Sequence, residues 1–365
     1  MTKKISFLDI FYSIASFRIK LLKIFDYLAG GAIAFVLPSL AREECPKRIN
    51  NILIIRPGGI GDAIFLLPIL KALSNQGLIV DILCEKRNAE VFTSQAHLLN
   101  RIFLYDQDPF AIFAHSYDLV IDTEQWHYLS ALTGYFIQSS YKVGFATRVN
   151  RAKLFSRAVE YDLQSYELDN FLRLFSEVLI PAEIYGLDGS FYIDVIDQAW
   201  AKGQIHDKCI AVFLGASIVL RRLNEEQMMA IVHGYLEKDY SIILLGGKDV
   251  RFFADVIAAK INSSKVLNYV GKLSLKQSGA LIQQSSLFIG PDSGLMHLAC
   301  ALDVPVVGIF GPGNLAKWGP KGKKHKVITE NAICSPCTRF GYTLPTCKGS
   351  YHCMKNIKID KEIFI

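Results

Sequence analysis

The sequence predicts an α/β protein built from two Rossmann-like, doubly wound parallel-sheet lobes that face a central cleft, with an amphipathic N-terminal extension. Three observations predict it. The 365 residues suit two ordinary domains with a remainder of some tens of residues. Short apolar runs alternate with amphipathic helical stretches from residue 51 onward. In each half, a glycine-rich turn directly follows an apolar run.

The extension comes first. Lys3, Lys4, Arg18, Lys20, Lys23, Arg42, Lys47 and Arg48 face four acids within residues 1–50, which is +4 of the formal +6. A basic excess gathered at one terminus suits anionic lipid headgroups, whereas a nucleic-acid groove needs a basic stripe on the folded body; no nucleic-acid partner is expected. Over residues 6–26, Ser6, Asp9, Ser13, Ser16, Lys20, Lys23 and Asp26 recur at three-four spacing, and Phe7, Phe11, Phe17 and Phe25 are among the apolar residues on the other faces. So narrow a polar stripe belongs in a membrane interface or against a partner surface. The charge-free run 27–41 is fifteen residues long and contains Pro38, short of the roughly 20 residues a spanning helix needs. Asp9, Arg18, Lys20 and Lys23 break the order of a signal peptide. Residues 1–45 are therefore expected to associate with a membrane, the rival reading being an extra helix packed on the body.

Strands are expected at 51–56, 78–84, 101–105 and 118–122, with a helix over 62–73, in a first lobe spanning 46–200. A second lobe, 201–330, has expected strands at 209–214, 241–245, 287–289 and 304–310, and helices at 225–236 and 250–261. Residues 331–365 form a cysteine-containing tail. Eight cysteines, four of them within 334–353, do not make a disulfide framework for a chain this long, so a reducing compartment is expected.

The first turn reads Arg56-Pro57-Gly58-Gly59-Ile60-Gly61-Asp62. Gly58, Gly59 and Gly61 allow a tight bend and the close approach of a ligand to a helix start. Asp62, on the first helical turn, reads either as a general base or as a helix N-cap. Gly59, Gly61 and a strand-end acid, Glu85, also fit a dinucleotide-binding turn, although Ile64 takes the place of its third glycine. That alternative makes the chain a nucleotide-dependent oxidoreductase.

The second turn is the most specific stretch: Gly290-Pro291-Asp292-Ser293-Gly294 opens a helix whose free amides can hold a pyrophosphate, and His297 returns to the same helical face. A further glycine turn, containing Gly311, follows the next apolar run.

Together, residues 56–62, 291–299 and 310–312 resemble the heptosyltransferase family of inverting glycosyltransferases, over roughly residues 50–355. The resemblance implies a GT-B fold, a nucleotide-diphosphate-sugar donor such as ADP-heptose in the second lobe, and an acceptor in the first. It implies Asp62 as catalytic base, with Asp292, Ser293, Gly294 and His297 at the donor. Arg221 or Arg222 stands where the family more often has lysine near the donor phosphates, and Asp249 matches a nucleoside-contacting acid. The acceptor is then a lipid-linked core oligosaccharide, reached by peripheral contact at the cytoplasmic face of a bacterial inner membrane. No cofactor or metal is required.

Other signals are weaker. Asp106-Gln107-Asp108 has metal-motif spacing but reads as a solvated acidic loop. Cys334, Cys337, Cys347 and Cys353 have spacing compatible with a four-thiolate metal site, with free thiols as the simpler reading. Trp126 and His127 read equally as acceptor contacts or as core. A membrane-associated glycan-binding protein without turnover is the remaining rival.

Overall fold

A computed structural model describes residues 21–41, 44–178, 184, 186–330, 332–337, 347, 352–359 and 363. The first sheet has the order β3-β2-β1-β4-β5-β6, from β1 Asn51–Arg56, β2 Ile79–Cys84, β3 Arg101–Leu104, β4 Ser116–Asp122, β5 Gln138–Phe145 and β6 Arg157–Val159. The second runs β12-β11-β10-β7-β8-β9, from β7 Cys209–Phe213, β8 Ser241–Leu245, β9 Val266–Asn268, β10 Phe288–Pro291, β11 Val306–Phe310 and β12 Lys326–Thr329. Every strand pair is parallel. The unbroken apolar runs of β1, β7 and β8 follow from that, because helices cover both faces of such sheets.

The direction of winding reverses between β1 and β4 in one sheet and between β7 and β10 in the other. Crevices open at the carboxyl ends of strands at such reversals. Both key glycine turns leave switch strands, one after β1 and one after β10. An apolar cluster running from Ile52 and Phe65 through Phe171 to Met296 and Phe310 packs the junction of the lobes.

Three boundaries differ from the sequence reading. The helix expected over 62–73 is two: α1, Ile60–Phe65, and a second over Leu67–Asn75. Pro68 near the start of the second has no N–H to continue the first ladder. The lobe boundary expected at residue 200 falls inside the helix Val195–Gln204, which belongs to the second lobe. Lys276 pairs there with Asp194 and, at 3.3 Å, with Asp197, while Trp200 meets Tyr269 edge-on.

The third concerns the N-terminus. The stripe from Ser6 to Lys20 lies outside the described residues, but residues 26–40 are docked on the first lobe rather than detached from it. The Asp26 carboxylate accepts from the backbone N–H groups of Tyr128 (3.1 Å) and Leu129 (2.7 Å), at the start of the helix Tyr128–Phe136, and pairs with His127. Gly30 lies against Tyr128, Leu40 N–H donates to Lys153 O at 3.0 Å, and the Arg148 guanidinium stacks 3.8 Å from the Trp126 ring and 4.5 Å from Tyr27. Among the described residues, no helix is long and apolar enough to cross a membrane. At the other end, Cys353, Met354, Ile357 and Ile363 join the second lobe's core, held by Gln227 Nε2 donating to Met354 O and Ile357 O.

Candidate active site

The first turn is fixed by Arg56, the last residue of β1. This buried guanidinium donates to Pro57 O (2.6 Å) and Thr123 O (2.9 Å) and pairs with Glu124 at 2.9 Å. It thereby ties the glycine turn to the end of β4. Gly58 has φ +112°, which explains the glycine there. Gly59 is the N-cap of α1, and Asp62 is its third residue. Asp62 is therefore not the cap; among the described residues no hydrogen bond reaches its carboxylate, which sits half-buried at the positive end of the helix.

The second turn leads into α3, Gly294–Ala301, whose N-cap Ser293 accepts from Met296 N–H at 3.4 Å. The two turns meet directly. A Cβ on Gly61 would lie 2.8 Å from His297 Cδ2, and one on Gly294 would lie 2.9 Å from Ile60 Cβ. His297, 4% exposed, also packs on Phe65 with ring centroids 4.7 Å apart. Burial first, then the Arg221 cation, pushes its pKa down to about 3. Asp292, 3% exposed, pairs with Arg221 at 3.0 Å. Burial raises its carboxyl above the usual range against the pull of Arg221, and the Asp62 carboxylate adds to the rise. Asp292 and His297 thus lie behind the turn, whereas Ser293 and Gly294 remain partly accessible at its surface.

The two arginines separate. Arg221 serves Asp292 and lies 5.6 Å over the Trp318 ring. Arg222 donates twice to Ala216 O and pairs with Asp249, so Asp249 sits opposite a cation at the same cleft edge. Gly311 has no open space beside it. Its Cβ would meet Met354 Sδ at 2.4 Å and Cys353 O at 3.1 Å, because the tail covers it. The glycine facing the donor turn is Gly313, where a Cβ would stand 2.3 Å from Asp292 Oδ2.

Sequence reasoning missed a buried polar network behind Asp62. Arg151 pairs with Asp122 at 2.6 Å and donates to Glu124 O, Phe145 O and His127 O. Burial pushes Asp122 up to about 6 despite Arg151; it pushes Glu124 the same way, but Arg56 and then His127 hold that carboxyl below its ordinary value. From α2, Glu167–Ser176, the fully buried Glu167 accepts from Gln125 Nε2 (2.5 Å) and Tyr161 OH (2.7 Å). Its partner Lys317, on α4, Leu315–Trp318, comes from the second lobe. Arg56 had one signal, a charge ending an apolar strand. Glu167, in the first turn of an amphipathic helix, had none.

The remaining candidates take other roles. Glu85 pairs with Arg87 and accepts from Tyr105 OH, both at 2.5 Å, which leaves the dinucleotide reading without its acid. Asp106 and Asp108 accept the backbone N–H groups of Lys86 and Ala111. Trp126 lies under Arg148. Cys334 and Cys337 are exposed and Cys353 is buried; burial, then the neighbouring cysteines, pushes the Cys337 and Cys353 thiols up. Among the described residues, no group of three or more His, Cys, Asp or Glu is placed to hold a metal.

This arrangement, an acid on one lobe against a helix-opening turn on the other, is where the comparison with known proteins decides the family. The family model described as glycosyltransferase family 9 (heptosyltransferase) matches residues 111–347, more than half of the chain. The chain belongs to glycosyltransferase family 9. Lipopolysaccharide heptosyltransferase 3 of Escherichia coli is 23% identical over 217 residues, covering 57% of this chain and 63% of that protein. The matched region spans less than two thirds of that relative's length. A family 9 structure from Veillonella parvula superposes with TM-score 0.68 at 16% identity, covering 78% of this chain and 87% of that one. The E. coli heptosyltransferase WaaC with ADP superposes with TM-score 0.63 at 21% identity, over 76% and 92%. The two-lobed GT-B fold is thereby shown.

Proposed function

We propose that this family 9 chain is an inverting glycosyltransferase that moves a heptose from ADP-heptose to a lipopolysaccharide-core or related surface-glycan acceptor. The observation that carries it is the contact of the two glycine turns, which sets Asp62 of one lobe beside the Asp292–His297 turn of the other. Asp62 takes the proton of the acceptor hydroxyl as its oxygen bonds to the anomeric carbon. The bond from that carbon to the diphosphate oxygen breaks, the diphosphate leaves with the electron pair, and one displacement inverts the centre. Ser293, Gly294 and the first amides of α3 would receive the diphosphate, with Arg222 and Asp249 at the nucleoside side. Asp292 and His297, buried behind that turn, shape it. A relative named for lipopolysaccharide heptosyl transfer and a structural neighbour holding ADP support the substrate assignment.

Asn keeps the size of Asp62 without its basicity, so Asp62→Asn is expected to lower turnover by roughly 10²-fold or more at unchanged donor affinity and melting temperature. Near-normal transfer from ADP-heptose to core-truncated lipopolysaccharide would reject Asp62 as the base.

Peripheral contact with the inner membrane is part of the same proposal. Leu28, Phe35 and Val36 are exposed on the docked segment, Leu22 and Phe25 just before it, and Leu129 and Phe136 on the helix it packs on. An apolar surface of this kind suits a bilayer interface. Because Asp26 holds the start of that helix, removing residues 1–45 is expected to destabilise the first lobe. Removing residues 1–20, or introducing Phe25→Asp with Phe35→Asp, is expected to weaken flotation with anionic vesicles and leave the fold intact. Undiminished flotation of the double variant would reject this surface.

A further inference from the structure

Four arginines stand at the carboxyl ends of strands in the first sheet, and three of them are paired. Arg56 at the end of β1, Arg87 after β2 and Arg151 after β5 meet Glu124, Glu85 and Asp122. Arg148, also after β5, meets no carboxylate and no hydrogen-bond acceptor among the described residues. Its guanidinium lies among rings instead, 3.8 Å from the centre of Trp126, 4.5 Å from Tyr27 and 5.3 Å from Tyr128. A planar guanidinium that close to a ring centre rests on the ring face, which leaves its N–H fork free in the plane for the two oxygens of a carboxylate or phosphate. Asp26, the acid next to Tyr27, does not serve it, because that carboxylate is turned to His127 and to the N–H groups of Tyr128 and Leu129.

The parts around this cation are fixed. Arg148 is the N-cap of the short helix Val149–Ala152, and its carbonyl accepts from Arg151 N–H and Ala152 N–H. Arg151 ties that helix to the loop after β4 through His127 O and Glu124 O, and in that loop Trp126 N–H donates to Glu124 at 3.1 Å. Glu124 in turn pairs with Arg56, which fixes the turn leading to Asp62. An unpaired, half-buried cation is thus held at the end of β5, next to β4 and the switch point where the crevice of the first lobe opens. Three rings already keep water from much of its surface and restrict its rotamers, so an anion arriving there meets a preorganised partner. We propose that Arg148 is a specificity-determining residue for the acceptor, taking a carboxylate or phosphate group of the glycan, and that Tyr27 of the N-terminal segment completes its aromatic cradle. The inference rests on the reading of the chain as a transferase to a surface glycan.

The test uses the full-length chain, ADP-heptose, and core-truncated lipopolysaccharide freed of its acyl chains in three forms: intact, with its phosphates removed, and with its carboxyl groups amidated. On the intact acceptor, Arg148→Gln is expected to raise acceptor KM about tenfold or more, with kcat and donor KM close to wild type. Arg148→Lys keeps the charge without the planar fork and should recover only part of the loss. Tyr27→Ala opens one side of the cradle and should raise acceptor KM by about two- to fivefold. For the wild-type chain, one of the two neutralised acceptors should show the rise seen with Arg148→Gln, and on that acceptor the substitution should add nothing, because the group it would meet is already gone. Equal wild-type KM for all three forms would overturn the proposal. So would an acceptor KM unmoved in Arg148→Gln with only the melting temperature lowered, which would make Arg148 a packing residue for the docked segment. Normal KM on the acyl-free acceptor with weaker flotation on anionic vesicles would assign the guanidinium to lipid phosphate and overturn it as well. Failure of the wild-type chain to transfer to the intact acceptor would instead remove the transferase reading, and this inference with it.

Discussion

The contact between Gly61 and Gly294 gives a direct test of whether the lobe junction is the working site. A methyl on Gly61 would stand 2.8 Å from His297 Cδ2, 0.6 Å short of the 3.4 Å where ordinary contact begins; one on Gly294 would stand 2.9 Å from Ile60 Cβ, 0.5 Å short. Neither neighbour can yield cheaply. His297 is packed on Phe65, and Ile60 Cβ lies at the root of a side chain in the first turn of α1. Each Gly→Ala change therefore pushes α1 and α3 apart by about half an ångström, an overpacking that costs about 1–3 kcal/mol. The same displacement moves Asp62 from the donor turn, and misplacement on the scale of 1 Å can cost about 10²-fold in rate. Steady-state transfer and urea unfolding of both variants should show roughly ten- to hundredfold loss in kcat/KM beside that modest loss of stability. The double variant should lose less than the sum, because both methyls widen one gap. Gly203 is the control: it lies within the helix Val195–Gln204 with nothing near its Cβ position, so Ala there should stabilise by about 0.5–1 kcal/mol and leave transfer alone. Full activity and stability in Gly61→Ala and Gly294→Ala would mean that the lobes do not meet in this way during catalysis.

Two further outcomes follow from the buried charges. Unfolded, His297 takes a proton near 6.5; folded, it does so only near 3. As pH falls through that window the unfolded chain binds the extra proton, so stability is lost at up to about 1.4 kcal/mol per pH unit, a slope that His297→Gln should remove from urea unfolding series between pH 7 and 4. Arg151→Met strands Asp122 in the interior and should cost about 3–5 kcal/mol at pH 7; Arg151→Met with Asp122→Asn should recover much of it, and equal losses in the single and double variants would show that the guanidinium matters through its three carbonyl partners instead.

The parts of this molecule that were legible in the sequence are those whose physics is local. β1, β7 and β8 announce themselves because a strand covered on both faces must be apolar throughout. The turns after β1 and β10 do so because a positive φ at Gly58, or a helix start pressed against another backbone at Gly294, admits little besides glycine. β5, β6, β9 and β12 were not legible. β5 opens on the polar Gln138, Ser139 and Ser140 and carries Lys142 among its buried residues, while β6, β9 and β12 are short, none is fully buried and all three are sheet edges, so neither an unbroken apolar run nor periodicity marks them.

The site divides in the same way. Asp62, Ser293 and Gly294 sit in turns whose spacing is written in a few consecutive residues. Glu167 and Lys317 lie 150 positions apart and acquire meaning only when the lobes close. Glu167 looks like an ordinary first-turn acid of an amphipathic helix, and Lys317 like one more surface lysine. The docking of the N-terminal segment was not legible for a related reason. Asp26 continued the polar stripe that marked a membrane-facing helix, yet its carboxylate serves the start of another helix, at Tyr128 and Leu129. A sequence pattern can show that a polar residue shares a face with others. Whether that face meets water, lipid or an unsatisfied N–H is decided by what the rest of the chain brings beside it.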